Sequence, residues 1–268
     1  MAPVVPEKLQ WWRETPQGAA WLDRLPRLIA ECAEQWALEL EPPFERGNVA
    51  YCAPAGEAVL KINFPEWETD QEADALAHWG GHGAARLLAR DDERGAVLME
   101  RLRPGGSLWE LPEEEAIEIA ADLLEQLWSK PASPDAPFTT LSEAVERWTA
   151  LDDGTRALLR ELAATQGEPV VLHQDFQGSN VLCSQRGWLA IDPKPLVGER
   201  EFDLASLVRD RRFDWKPRRA PERLDYLCAR LDLDRERARR WAIGHALAWR
   251  CDSLVVPALS DGSNWPSV

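Results

Sequence analysis

The stretch from Val170 to Asp192, VVLHQDFQGSNVLCSQRGWLAID, constrains this chain most, because apolar runs and one tight turn set an Asp, an Asn and a second Asp on a β scaffold. VVL (170–172) and NVLC (180–183) read as strands, and WLAI (188–191) returns after the turn Ser184-Gln185-Arg186-Gly187. Asn180 and Asp192 lie six residues either side of Arg186. An antiparallel hairpin centred there places them opposite each other, with Cβ atoms ~4.5–5.5 Å apart. Two hard oxygen donors aimed at one point suit Mg²⁺, which takes one or two protein ligands and leaves its other positions to water and phosphate. Asp175 falls on the loop between strands, where a carboxylate can receive or orient the proton of an attacking hydroxyl. Each residue alone is more simply a turn cap. The spaced set points to phosphoryl transfer.

The pattern His173-x-Asp175-x-x-x-x-Asn180, followed by Ile191-Asp192-Pro193, resembles the catalytic and metal loops of the aminoglycoside phosphotransferases, antibiotic-resistance kinases. The string DPKPLVGEREFDLASLVRD (192–210) is similar to the branch with streptomycin phosphotransferases and hydroxyurea-resistance kinases. The resemblance runs from about Phe44 to about Asp252. It implies an α+β, two-lobed protein-kinase-like fold: a small antiparallel-sheet lobe and a larger, mainly helical one. It further implies ATP and Mg²⁺ as cofactors, Asp175 as the catalytic residue and Asn180 and Asp192 as metal ligands. His173 and Asp203 would support the catalytic loop, and the backbone of Glu100 and Leu102 would receive adenine. Phe44, Ala58 and Met99 are then candidate walls for the ring, with ordinary core packing the equal alternative. Common members carry Gly after the first His and often a second His two residues after the Asp. This chain has Gln174 and Gln177 there.

A chain of 268 residues is long enough for two lobes around one cleft. With 31 Lys and Arg against 46 Asp and Glu, its net charge of −15 speaks against nucleic acid as a partner; it would draw a cationic small molecule, although a plain acidic surface explains the charge at least as well. The N-terminus lacks a basic segment followed by an apolar one, and no run of 18 apolar residues occurs. The expectation is a cytoplasmic monomer that does not engage a membrane. Five scattered cysteines without CxxC spacing (Cys32, Cys52, Cys183, Cys228, Cys251) indicate reduced thiols rather than a zinc site or a disulfide framework. Among 14 tryptophans, Trp241 and Trp249 fall at helical spacing and read as core.

Residues 18–36 read as an amphipathic helix. Strands follow at 38–40, 49–53 and 58–63, a helix at 66–79, and strands at 85–90 and 96–102. The breaker cluster Arg103-Pro104-Gly105-Gly106 ends this region, giving an N-terminal nucleotide-binding lobe at 1–103 and a catalytic and acceptor-binding lobe at 104–268. Helices are expected after Pro112 and at 140–150, 154–166, 203–210, 220–231 and 234–256.

Lys61 sits in an apolar strand with Leu60 and Ile62 on the opposite face, and its ammonium wants an anion. Glu72, in the next helix, can hold it toward phosphates as the strand lysine and helix glutamate do in kinases, although Glu66, Glu68 and Asp74 compete. Gly47 and Asn48 precede a strand where backbone N–H groups could cover phosphates. For the acceptor, Glu199 and Asp252 are the candidates, and His245 reads as a core residue. Asp203 can also cap the helix that Phe202 begins. Two basic runs, 209–219 and 235–240, read as solvated faces balanced by Asp232, Asp234 and Glu236. A cationic hydroxyl acceptor of the aminoglycoside type is the first expectation. A metabolic hydroxyl or hydroxyurea is the second, and a kinase-like binding protein without turnover is a third.

Overall fold

The computed structural model describes residues 4–45, 49–133, 136–210, 219–250 and 252–260. The chain divides into two compact units, Met1–Arg103 and Pro104–Val268.

In the first unit, α1 (Pro16–Gln35) starts where the Thr15 hydroxyl accepts the Gly18 N–H and Pro16 takes the first turn. Its apolar stripe, Trp21, Leu25, Ile29 and Cys32, packs on one face of a four-stranded antiparallel sheet. The strands are β1 (Tyr51–Ala55), β2 (Ala58–Ile62), β3 (Leu87–Asp91) and β4 (Ala96–Glu100), in the order β1-β2-β4-β3. Leu60 and Ile62 of β2 enter that core. The alternation of a strand therefore turns Lys61, between Cys52 and Val97 in register, to the other face.

Two sequence expectations are corrected here. Residues 38–40 form no strand; the segment runs beside β1 through the bonds from Glu41 N to Pro54 O and from Phe44 N to Cys52 O. The helix expected from 66 begins only at Glu72 (α2, Glu72–Trp79), because the Thr69 hydroxyl binds the carbonyls of Phe64 and Glu66 and stabilises a turn in their place.

The second unit is mainly helical. It contains α3 (Glu113–Trp128), α4 (Leu141–Arg147), α5 (Asp153–Ala164), α6 (Arg200–Val208), α7 (Arg219–Leu231), α8 (Arg235–Ala248) and α9 (Asp252–Leu259). The helix expected over 234–256 is interrupted at Trp249 and at Arg250, whose φ is 51°. Two small sheets accompany the helices. One joins β5 (Pro104–Ser107), β7 (Val181–Ser184) and β8 (Gly187–Ala190), so the breaker cluster at 104–106 carries an irregular edge strand. The other pairs β6 (Val170–Leu172) with β9 (Leu196–Gly198). Among the described residues no helix is long and apolar enough to cross a membrane.

Candidate active site

The chain leaves β6 at Leu172 and enters a loop tied down from α6. Asp203, with no solvent exposure, accepts the backbone N–H of His173 at 3.0 Å and of Gln174 at 2.7 Å, and the Trp128 indole N–H at 3.0 Å. Burial raises its pKa, and these three hydrogen bonds oppose the rise. The Ser206 hydroxyl donates to the Gln174 carbonyl, and His173 Nε2 lies 3.0 Å from the Ile191 carbonyl. At the far end of the loop, the Asp210 carboxylate accepts the Gly178 N–H at 2.7 Å and the Trp109 indole N–H. Asp175 is thus carried by backbone fixed on both sides.

Asp175 is 8% exposed, and its pKa is pushed up to about 6, chiefly by desolvation. Lys194 and Arg209 oppose that rise and Asp192 adds to it. The Asn180 side-chain amide donates to the Asp175 carbonyl at 2.9 Å and to its carboxylate at 3.3 Å.

The hairpin register corrects the sequence reading. β7 and β8 close on the two-residue loop Gln185-Arg186, pairing Ser184 with Gly187 (φ 97°) and Val181 with Ala190. Its centre therefore lies between Gln185 and Arg186, and Asn180 faces Ile191, whose N–H it accepts at 2.9 Å. A one-residue slip would send Asp192 to the opposite face of a regular strand. Asp192 instead leaves the strand with φ 60°, a conformation Asp tolerates better than most residues, and its charge is felt at Asp175. Asp192 thus acts on Asp175 from this turn rather than through cross-strand pairing with Asn180.

In the first unit, Lys61 Nζ lies 2.7 Å from Glu72, with the side chains 5% and 1% exposed. Asn63 donates to the same carboxylate oxygen at 2.7 Å. Asp74 is paired with Arg90 instead.

A family profile described as aminoglycoside/hydroxyurea antibiotic resistance kinase matches residues 49–258. The chain belongs to this kinase family. Its relatives include a streptomycin 6-kinase of Streptomyces griseus, 33% identical over 260 residues, covering 86% of this chain and 83% of that protein. They also include a hydroxyurea phosphotransferase of Kitasatospora aureofaciens, 34% identical, covering 86% and 73% of the two chains. In fold, the chain is similar to choline kinase LicA of Streptococcus pneumoniae (TM-score 0.59, 14% identity, 91% and 94% of the two chains covered). The protein-kinase-like α+β fold and the phosphotransferase class expected from the sequence both stand.

Within this kinase framework the oxygen donors suit a hard cation. The Asn180 amide spends its N–H₂ on Asp175, its Oδ1 accepts the Ser179 hydroxyl at 3.3 Å, and the Asp175 and Asp192 charges repel each other. A cation would relieve the repulsion. Among the described residues no group of three or more His, Cys, Asp or Glu side chains could hold a metal alone, so such a cation would share its coordination with Asn180 and phosphate oxygens.

Glu199, a candidate for the acceptor, is turned inward. It is 2% exposed, and its oxygens take the Arg237 guanidinium at 2.7 Å, the Gly167 N–H and the Trp241 indole N–H. Asp252 begins α9, but its side chain lies outside the described residues, as do Gly47 and Asn48. The Glu100 N–H goes to the Arg86 carbonyl, and Leu102 follows the end of β4. His245 is fully buried and neutral, packed against Trp148, Phe202 and Trp249. Of the basic runs, residues 211–218 lie outside the described residues, while Arg237 pairs with Glu199 and Arg239 and Arg240 with Glu236.

Sequence reasoning missed Asn63, Ser206, Asp210, Lys194 and Arg209. Asn63 was accessible in principle, being two residues from Lys61 and so on the same strand face. Ser206 follows Asp203 by one helical turn, which puts both over the same loop. Nothing local marks Asp210 as a partner of Gly178, 32 residues away.

Proposed function

We propose that this protein transfers the terminal phosphoryl group of ATP to a hydroxyl of a small cationic molecule, with a streptomycin-type aminoglycoside as the first candidate. The observation that carries the reading is the loop held by Asp203, in which the Asn180 amide donates to Asp175 while the charge of Asp192 reaches the same carboxylate. Asp175 orients the acceptor hydroxyl and takes its proton. Its raised pKa brings it nearer neutrality, where a base accepts a proton more readily. Asn180 and Asp192 would hold Mg²⁺, which when bound neutralises charge on the phosphates. Lys61, oriented by Glu72, steadies the nucleotide phosphates, and the Glu100 and Leu102 backbone receives adenine. Residues 1–103 then serve the nucleotide and residues 104–268 the chemistry and the acceptor. The net charge of −15 supports a cationic acceptor by steering it. Cys32, Cys52, Cys183 and Cys228 form no disulfide among themselves, in keeping with a cytoplasmic location.

Hydroxyurea is the second reading, favoured by the 34% identity with the Kitasatospora enzyme. Incubation with ATP, Mg²⁺ and a panel holding streptomycin, other aminoglycosides and hydroxyurea, followed by mass spectrometry, separates the two. A phosphorylated aminoglycoside is expected; phosphorylated hydroxyurea alone moves the assignment, and no product with any acceptor contradicts it.

A further inference from the structure

We infer that Lys194 is a catalytic residue whose ammonium binds the phosphoryl group during its transfer. The inference rests on the phosphotransfer reading above. Lys194 follows Asp192 by two residues, and its backbone N–H donates to the His173 carbonyl at 3.0 Å, so it is fastened to the loop that carries Asp175. Its Nζ lies 4.5 Å from the centre of the Trp249 ring, and the Arg209 guanidinium lies 4.7 Å from the same ring. Both separations are within cation–π range.

The two cations differ in what they touch. Arg209 donates to the Ser206 hydroxyl at 3.1 Å and stands 3.9 Å from the Asp175 carboxylate. The Lys194 ammonium makes no hydrogen bond or ion pair among the described residues, although its charge is felt at Asp175 more strongly than that of Arg209. Lys194 is partly exposed, so solvent can serve its three donors until phosphoryl oxygens replace it. A cation whose whole purpose was to keep Asp175 ionised would gain by pairing with it. Lys194 instead sets its ammonium over an aromatic face, from which its charge reaches the base. In the transfer, the acceptor oxygen bonds to phosphorus, the proton of that hydroxyl passes to Asp175, and the bond to the ADP oxygen breaks with its electron pair leaving on ADP. Lys194 meets charge spread over the three equatorial oxygens and takes no part in the proton transfer.

The test compares Lys194→Met, which keeps the length and the ring contact, with Lys194→Arg and Lys194→Gln. Turnover is measured together with calorimetric binding of ADP alone and of ADP with aluminium fluoride, a mimic of the phosphoryl group in flight. The Met and Gln variants are expected to lose turnover on the order of 10²–10³-fold, as when one oxyanion donor is removed. They should also bind the fluoride complex at least tenfold more weakly while holding ADP unchanged, with Arg restoring most of both. Unaltered fluoride-complex binding overturns the inference, as does full turnover recovered in the Met variant at alkaline pH, which would make Lys194 a residue that only tunes Asp175. Wild-type protein that phosphorylates no acceptor removes the phosphotransfer reading and this inference together; active wild type with an equally active Met variant removes this inference alone.

Discussion

The Asp203 carboxylate accepts the Gln174 N–H at 2.7 Å, and Gln174 holds φ at 64° in the left-handed region. Common members of the resembled family carry Gly at the residue after the first His, which makes the bend without strain. Gln174 is 1% exposed, so removing its side chain also removes packing, and the informative comparison is between two truncations. Gln174→Gly should be more stable than Gln174→Ala by about 0.5–1 kcal/mol, the left-handed penalty of a Cβ less the extra freedom of unfolded glycine. Urea denaturation of the two variants measures the difference.

Lys61 and Glu72 form a buried pair with Asn63 as a third member. Removing one partner strands the other charge. Lys61→Met and Glu72→Leu should each cost about 3–5 kcal/mol, and the double variant far less than their sum. A double-mutant cycle by chemical denaturation reads the coupling, and calorimetry on Lys61→Met should show weakened nucleotide binding.

The Asp175 carboxyl sits near 6 in the folded protein against an ordinary value of 3.8. The folded state therefore holds this proton to higher pH than the unfolded chain does. The stability this gives is fully present below about pH 4, declines as the unfolded carboxyl ionises first, and is lost above about pH 6. Asp175→Asn does not titrate, so in metal-free protein its stability relative to wild type should rise by about 2 kcal/mol between pH 4 and pH 7. Thermal melts across that range check the sign, and a flat difference contradicts the burial that causes the shift.

Much of the site was legible because it is local. Asp175, Asn180 and Asp192 lie within one stretch whose strands and turn follow from alternation and from Gly187, and Lys61 was placed by two apolar neighbours. The hairpin register was not legible to one residue, because the chemistry of Ser184-Gln185-Arg186-Gly187 does not say which pair closes the loop. β6 pairs with β9 rather than with its sequence neighbours, a choice made by distant packing. Polar side chains with backbone or distant partners were the other source of error. Thr69 delayed α2 through its hydroxyl, and Glu199, an acceptor candidate in the sequence, is held inside by Arg237, 38 residues on.

Because Arg237, Trp241 and Gly167 occupy Glu199, its replacement should act on stability rather than on recognition. Glu199→Ala is expected to destabilise by about 3–5 kcal/mol while leaving KM for the acceptor unchanged in the fraction that folds. Denaturation curves and acceptor titrations separate the two effects.

The account turns on Asp175 acting at the acceptor hydroxyl. Steady-state turnover of Asp175→Ala, alongside calorimetric nucleotide binding by the same variant, tests this most directly. Loss of turnover by at least about 10²-fold, the span expected for a general base, with nucleotide affinity retained is the expected result. Wild-type turnover in that variant would contradict it.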